Sequence, residues 1–271
     1  MLGYKIARHS VTLILRNHDP FIQIIWPAFF ATMWLNYLMT AYGFIPTWSG
    51  GFTQSDYTPN AVAAHWQILL AFLVLSVGCT VWSVTAWHRF VLLEDQPVSF
   101  HTPVPLGRIL GYFLRAVQLG LAVTAFALVF LALAVIPLSL GMAAAIDGSS
   151  AAASSLPELV GVVLGVVLSV VAFVVLARLS PVLPAVAIGK PLGLFGAWRA
   201  TARSNRAILW SFILVCLAMR IASLPGAVIV MLAPPNLAAM LSTPFYVISS
   251  FVLVSYITSL YGVFVEKRYL G

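Results

Sequence analysis

Residues 207–233 read AILWSFILVCLAMRIASLPGAVIVMLA, with Arg206 before the run and Pro234 after it. A helix needs ~20 mostly apolar residues to cross ~30 Å of hydrocarbon, and this run exceeds that length with a single charge, Arg220, inside it. The same test passes five further segments, so six spans are predicted, at 21–44, 61–87, 109–138, 158–178, 207–233 and 244–265. Polar or turn-rich breaks separate them: Pro46 to Asn60, His88 to Arg108, Asp147 to Pro157, Ser180 to Asn205, and Pro234 to Pro244. The expected fold class is all-α, a polytopic transmembrane helical bundle forming one membrane domain over residues 1–271.

Composition points the same way. A globular domain is about a quarter charged, whereas this chain is 8% charged and 62% hydrophobic. The net charge of +7 fits cytoplasmic loops facing anionic lipid and not a nucleic-acid partner. Cys79 and Cys216 fall in apolar runs and are expected as small buried hydrophobes, not as a disulfide or metal pair. Lys5, Arg8 and Arg16 break the hydrophobicity before the first span and no small-residue cleavage site follows, so no cleaved signal peptide is expected.

The basic residues segregate completely between alternate loops. Lys5, Arg8 and Arg16 precede the first span, and Arg89 and Arg108 flank the second loop. Arg178, Lys190, Arg199, Arg203 and Arg206 surround the fourth, Lys267 and Arg268 end the chain, and the first, third and fifth loops hold neither Lys nor Arg. Short cytoplasmic loops carry the excess of Lys and Arg, so both termini and the even-numbered loops are predicted to be cytoplasmic.

Residues 1–19 are too interrupted to span, yet they are patterned. At ~100° per residue, Lys5, Arg8, His9, Thr12 and Arg16 share one arc while Leu2, Ile6, Val11, Leu13, Ile14 and Leu15 occupy the rest. That is the pattern of an N-terminal amphipathic interfacial helix with a basic stripe on anionic headgroups; the other reading is a cytoplasmic helix packed on the protein's own loops. In the fourth loop, Pro191 opens a predicted helix carrying Arg199, Arg203 and Arg206 beside Leu194, Trp198 and Ala202, suited to headgroups or to a docking partner. The run from Pro181 to Ile188 is too short to cross and should lie in the interface or extend the fourth span through a kink.

Arg220 is the costliest residue, ~21 Å of helix from Arg206 and from Pro234 alike. Insertion scales charge ~2.5 to 3.5 kcal/mol for such an Arg, so a cavity, a partner or another helix should meet it. Asp19, Asp56, Glu94, Asp95, Asp147, Glu158 and Glu266 all lie at or beyond span ends, so no intramembrane carboxylate is available as its counter-ion. Pro225 cannot donate to the Ile221 carbonyl, and the carbonyls freed by the resulting bend offer a structural alternative to an anion or a partner's acid. Arg115 is near enough to the interface to snorkel, and Gln118 shares its face. Gln23, Asn36, Gln67 and Gln118 are expected to hydrogen-bond between helices. Gly161 and Gly165 form a GxxxG that permits close packing of another helix. His65, His88 and His101 are scattered near span ends without the spacing of helical metal or haem ligands, and no cofactor is predicted. The chain has no HExxH, GxSxG or Walker loop and no intramembrane acid for ion coupling, so an enzyme or an ion-coupled pump is not expected.

The basic amphipathic start, the six spans, and the loop Arg178-Leu-Ser-Pro-Val-Leu-Pro-Ala-Val-Ala-Ile-Gly-Lys-Pro running into Ala197-Trp198-Arg199-Ala200-Thr201 and Asn205-Arg206 resemble a bacterial group. The chain is similar to YciC-type inner-membrane proteins, related to the membrane domain of some glycerophosphodiester phosphodiesterases. The resemblance implies a six-helix bundle of the bacterial inner membrane without catalytic residues of its own, and it assigns no site residue.

Two functions remain open at this stage. One is a non-enzymatic accessory or scaffold subunit, or an envelope-maintenance factor, acting on anionic phospholipids and on another membrane protein or a homo-oligomer. The other is a small transporter or channel for an anionic or amphipathic solute, with Arg220 lining the path.

Overall fold

Apolar length becomes helix because backbone N–H and C=O groups in hydrocarbon must be satisfied internally, and a helix does so within one segment. The computed structural model describes residues 2–42, 59–94, 104–146, 163, 165, 167, 170–190, 192–202 and 204–269. Among these no strand occurs. The helices are α1 (Leu2–Arg16), α2 (His18–Ala41), α3 (Pro59–Leu93), α4 (Leu106–Ile146), α6 (Val182–Ala187), α7 (Leu194–Ala200), α8 (Asn205–Leu232) and α9 (Pro235–Phe264). Residues 170–179 form α5 between α4 and α6. Six stretches are long and apolar enough to cross a membrane: His18–Ala41, His65–Leu93, Leu106–Ala125, Val170–Ala187, Asn205–Leu232 and Pro235–Phe264. The chain is a polytopic bundle of six spans with a further helix at its N-terminal end.

Several boundaries move. The break expected from Pro234 to Pro244 shrinks to Ala233 and Pro234, because Pro235 sits in the first turn of α9, where its missing N–H needs no partner, and the helix then runs through Pro244. α3 continues to Leu93 and carries His88 into the helix. The single helix expected to bear Arg199, Arg203 and Arg206 is two, since α7 ends at Ala200 and α8 starts at Asn205. Between them the chain tightens: the Ala202 N–H donates to the Arg199 carbonyl (3.3 Å) and the Ser204 N–H to the Thr201 carbonyl (3.2 Å), and the Trp198 carbonyl that the next turn would have used accepts instead from the Arg178 guanidinium (3.0 Å). The Pro181–Ile188 run settles as the kinked extension of the fourth span: α6 follows α5 after a turn at Ser180 and Pro181 and packs on α3, α4 and α9.

α8 and α9 form the hairpin on which the rest is built. Burying carbon gains little over lipid contact inside a bilayer, so close approach and interhelical hydrogen bonds hold such pairs. The Tyr256 hydroxyl donates to the Ile208 carbonyl (3.3 Å), and the Ser249 hydroxyl donates to the Met219 carbonyl (2.9 Å). Farther along, Gly226 lets α9 come close: a Cβ there would stand 3.1 Å from the Cβ of Phe245. On the other side of α9, α2 and α3 pack around Phe21, whose ring meets Trp87 at 5.3 Å and Phe251 at 5.7 Å, both edge-on. Asn36 on α2 donates to the Thr243 hydroxyl at 3.1 Å, and Thr32 bonds Ser76 on α3 at 3.0 Å.

The N-terminal helix is docked on this hairpin. A Cβ on Gly3 would lie 2.7 Å from the Ala207 carbonyl oxygen, and Ser10 donates to Ser259 at 3.2 Å. Ile208 pairs with Tyr256, so Ala207 and Ser259 lie at the same level of the hairpin, near its open end. α1 therefore crosses α8 and α9 at that end and does not run alongside them. Its buried face is Gly3, Ile6, Ala7, Ser10 and Ile14, one stripe at spacings of three and four. The apolar side expected to sink among headgroups is thus divided: Ile6 and Ile14 pack on the protein's own spans, while Leu2, Tyr4 and Leu15 remain exposed.

Candidate functional site

The open end of the hairpin gathers the basic residues of the chain, and they sort into two groups. Members of the first hold the fold. Arg178, at the end of α5, is buried; its guanidinium lies 3.5 Å from the centroid of the Trp198 ring. It donates to the Trp198 carbonyl (3.0 Å) and the Thr201 hydroxyl (3.3 Å), which clamps α7 to α5. Arg89 donates to the Ala187 carbonyl at 3.4 Å and ties α3 to α6. Gly189 adopts φ +80°, and a Cβ there would stand 2.5 Å from the Arg108 guanidinium, so the turn leaving α6 closes directly on that charge. Lys190 pairs with Glu266 at 2.8 Å, and Arg268 meets the same carboxylate at 2.7 Å while donating to the Leu92 carbonyl at 2.6 Å. The hydrogen bond to Glu266, and then its charge, hold the Lys190 ammonium above its ordinary range.

The second group points outward. Lys5, Arg8 and Arg16 are exposed on α1, along a cleft of about 430 Å³ completed by His9 and Thr12. Thr12 turns its hydroxyl back to the Arg8 carbonyl and offers the cleft no donor. Burial, and then the charge of Arg16, hold the His9 imidazole below its ordinary value, so it adds little positive charge at neutral pH. Where α1 meets α8, a groove of about 680 Å³ is lined by Leu2, Tyr4, Arg206, Trp210 and Leu214. Arg199 and Arg206 are exposed, on α7 and α8 respectively; Arg203 lies outside the described residues. Among the described residues, none of Lys5, Arg8, Arg16, Arg199 and Arg206 makes an ion pair.

Arg220 stands apart from both groups. It is exposed on α8, turned away from Ser211, Val215 and Gly226, which pack inward. α8 continues through Pro225 to Leu232, and the hydroxyl bond next to the arginine, from Ser223, is taken by the Arg220 carbonyl and not by its guanidinium. Of the four amides expected to bridge helices, only Asn36 does so. Gln118 accepts from Arg115 at 2.6 Å on its own helix, and Gln23 and Gln67 are exposed. A Cβ on Gly165 would meet no described atom within 4 Å, and Gly161, the other half of the GxxxG, lies outside the described residues. Cys79 and Cys216 are unpaired and only partly buried.

Sequence reasoning passed over a polar seam between α9 and its neighbours. His88 is fully buried, with Nδ1 bonded to Thr258 at 2.8 Å and Nε2 to the Tyr112 hydroxyl at 3.3 Å, so one ring joins α3, α4 and α9. One residue earlier, the Trp87 indole donates to Ser255 at 2.9 Å. The available signal was the run of hydroxyls Ser249, Ser255, Thr258 and Ser259 inside an otherwise apolar span. His65, by contrast, stacks on Tyr42 at 4.3 Å near the opposite end of α2, and His101 lies outside the described residues.

No family model, no curated protein and no solved structure matches this chain.

Proposed function

We propose that the protein is a non-enzymatic accessory or scaffold subunit of a bacterial inner membrane, with both termini cytoplasmic, that holds anionic phospholipid at the basic end of its bundle. One observation carries this reading. α1 is pinned across the α8–α9 hairpin through Gly3 and Ser10, which leaves Lys5, Arg8 and Arg16 on its outer side. Cations so placed lie at headgroup level, and each Lys or Arg near an anionic surface contributes ~1 kcal/mol of attraction, screened by salt. Exposed Leu15, Tyr4 and Trp210 beside them supply apolar contact for the upper acyl chains. The YciC-type resemblance supports the same compartment. Arg220, on the outer flank of α8, speaks for a scaffold over a solute path through the bundle.

The test is lipid selection in nanodiscs made from equal phosphatidylglycerol and phosphatidylcholine, read by mass spectrometry of lipids that stay with the extracted protein. Wild type should retain phosphatidylglycerol selectively. The variant with Lys5→Gln, Arg8→Gln and Arg16→Gln should lose most of that selectivity with its helicity intact. Equal retention by both proteins would sink the reading.

A further inference from the structure

We propose that the outer face of α8 docks a transmembrane helix of a different protein, one carrying an aspartate or glutamate near its middle. This gives the accessory role a partner class and rests on that part of the reading above.

Depth is fixed by two helices independently. Arg220 is ~22 Å of helix from Asn205 and ~18 Å from Leu232. Its neighbour Met219 is held by Ser249, which lies midway along α9. A guanidinium at that depth cannot snorkel to either interface, so a phospholipid phosphate is out of reach. It is nevertheless exposed, and among the described residues its side chain has no hydrogen-bond or ion-pair partner.

The surface around it is built for a helix. Trp210, Ile213, Leu217, Ile221, Leu224 and Val228 are all exposed and recur at spacings of three and four, the pattern of a packing seam, with Arg220 on its flank. Apolar residues alone would be satisfied by lipid; the arginine would not. A second copy of this chain cannot answer it. Asp19 is in the first turn of α2, Glu94 follows α3 and Glu266 follows α9. The other acids, Asp56, Asp95, Asp147 and Glu158, fall in sequence at or beyond span ends. The complementary acid must come from another membrane protein, at mid-membrane depth.

The experiment uses the full-length protein in phosphatidylcholine–phosphatidylglycerol liposomes and synthetic polyleucine transmembrane peptides, one with a central Glu, one with Leu at that position and one with the Glu near its end. Association is read by energy transfer between labelled protein and labelled peptide. The central-Glu peptide should bind about tenfold more tightly than the other two, and the difference should vanish in Arg220→Leu. Equal binding of the peptides to wild type, or a preference that survives Arg220→Leu, overturns the proposal. So does aqueous labelling of Arg220→Cys by a membrane-impermeant maleimide, in a Cys79→Ala, Cys216→Ala background, because it would place the residue in a water-filled path. Phosphatidylglycerol retention by Arg220→Leu should equal that of wild type, which shows the variant folded. If wild type lacks that retention but keeps the Glu preference, the lipid reading fails and the docking surface stands.

Discussion

Arg178 shows what a single side chain does at the basic end. A planar guanidinium can lie on the Trp198 indole and donate to the Trp198 carbonyl and to Thr201 together, whereas an ammonium can do only part of this. Arg178→Lys should keep the charge and still lower stability by ~1–2 kcal/mol, seen as a lower thermal midpoint with faster amide exchange in α7. An unchanged midpoint would mean the clamp is ornamental. Little of this is legible in the sequence: Arg178 reads only as a loop cation, because its partners come from a helix that the fold brings back after α6. His88 was hidden for the same reason, since a residue three helices share has no local signature. Arg220 was legible, because a mid-span charge can be counted along one run; its outward direction was not, because that depends on which side of α8 faces α9.

At the level of elements, apolar length told where the helices lie and failed where a proline or a tight turn sets an end. Pro235 begins a helix that seemed to need the residues after Pro244, and tight turns through Ala202 and Ser204 divide one that seemed to continue. α1 was legible as an amphipathic helix with a basic arc, but its docking was not, since Gly3 and Ser10 carry no apolar signal and act by close approach and by a hydroxyl bond. Gly3→Ala tests that docking. The added Cβ would press on the backbone carbonyl of Ala207, so α1 must shift, at ~1–3 kcal/mol for an overpacked contact. Trp210, beside Gly3, should then show altered fluorescence and quenching by an aqueous quencher, and phosphatidylglycerol selectivity should fall along with it. Full retention of both would mean that α1 binds lipid without being held by the hairpin.

For the whole molecule, charge gathers at one end of the bundle, and Arg220 stands away from it on the outer flank of α8. The exposed Lys5, Arg8, Arg16, Arg199 and Arg206 and the fold-holding Arg89, Arg108, Arg178, Lys190 and Arg268 converge at the open end of the α8–α9 hairpin, which is also where α1 docks and α9 ends. Loops far apart in sequence meet there because the spans alternate in direction, and the loop arithmetic anticipated that meeting. Lipid binding at this end requires that it face the cytoplasm, where anionic lipid is available. The most direct measurement is a pair of C-terminal reporter fusions, a fluorescent protein that matures only inside and an alkaline phosphatase that is active only outside. Fluorescence from the first and no activity from the second are expected. An active phosphatase with a dark fluorescent fusion would contradict the orientation and the lipid function built on it.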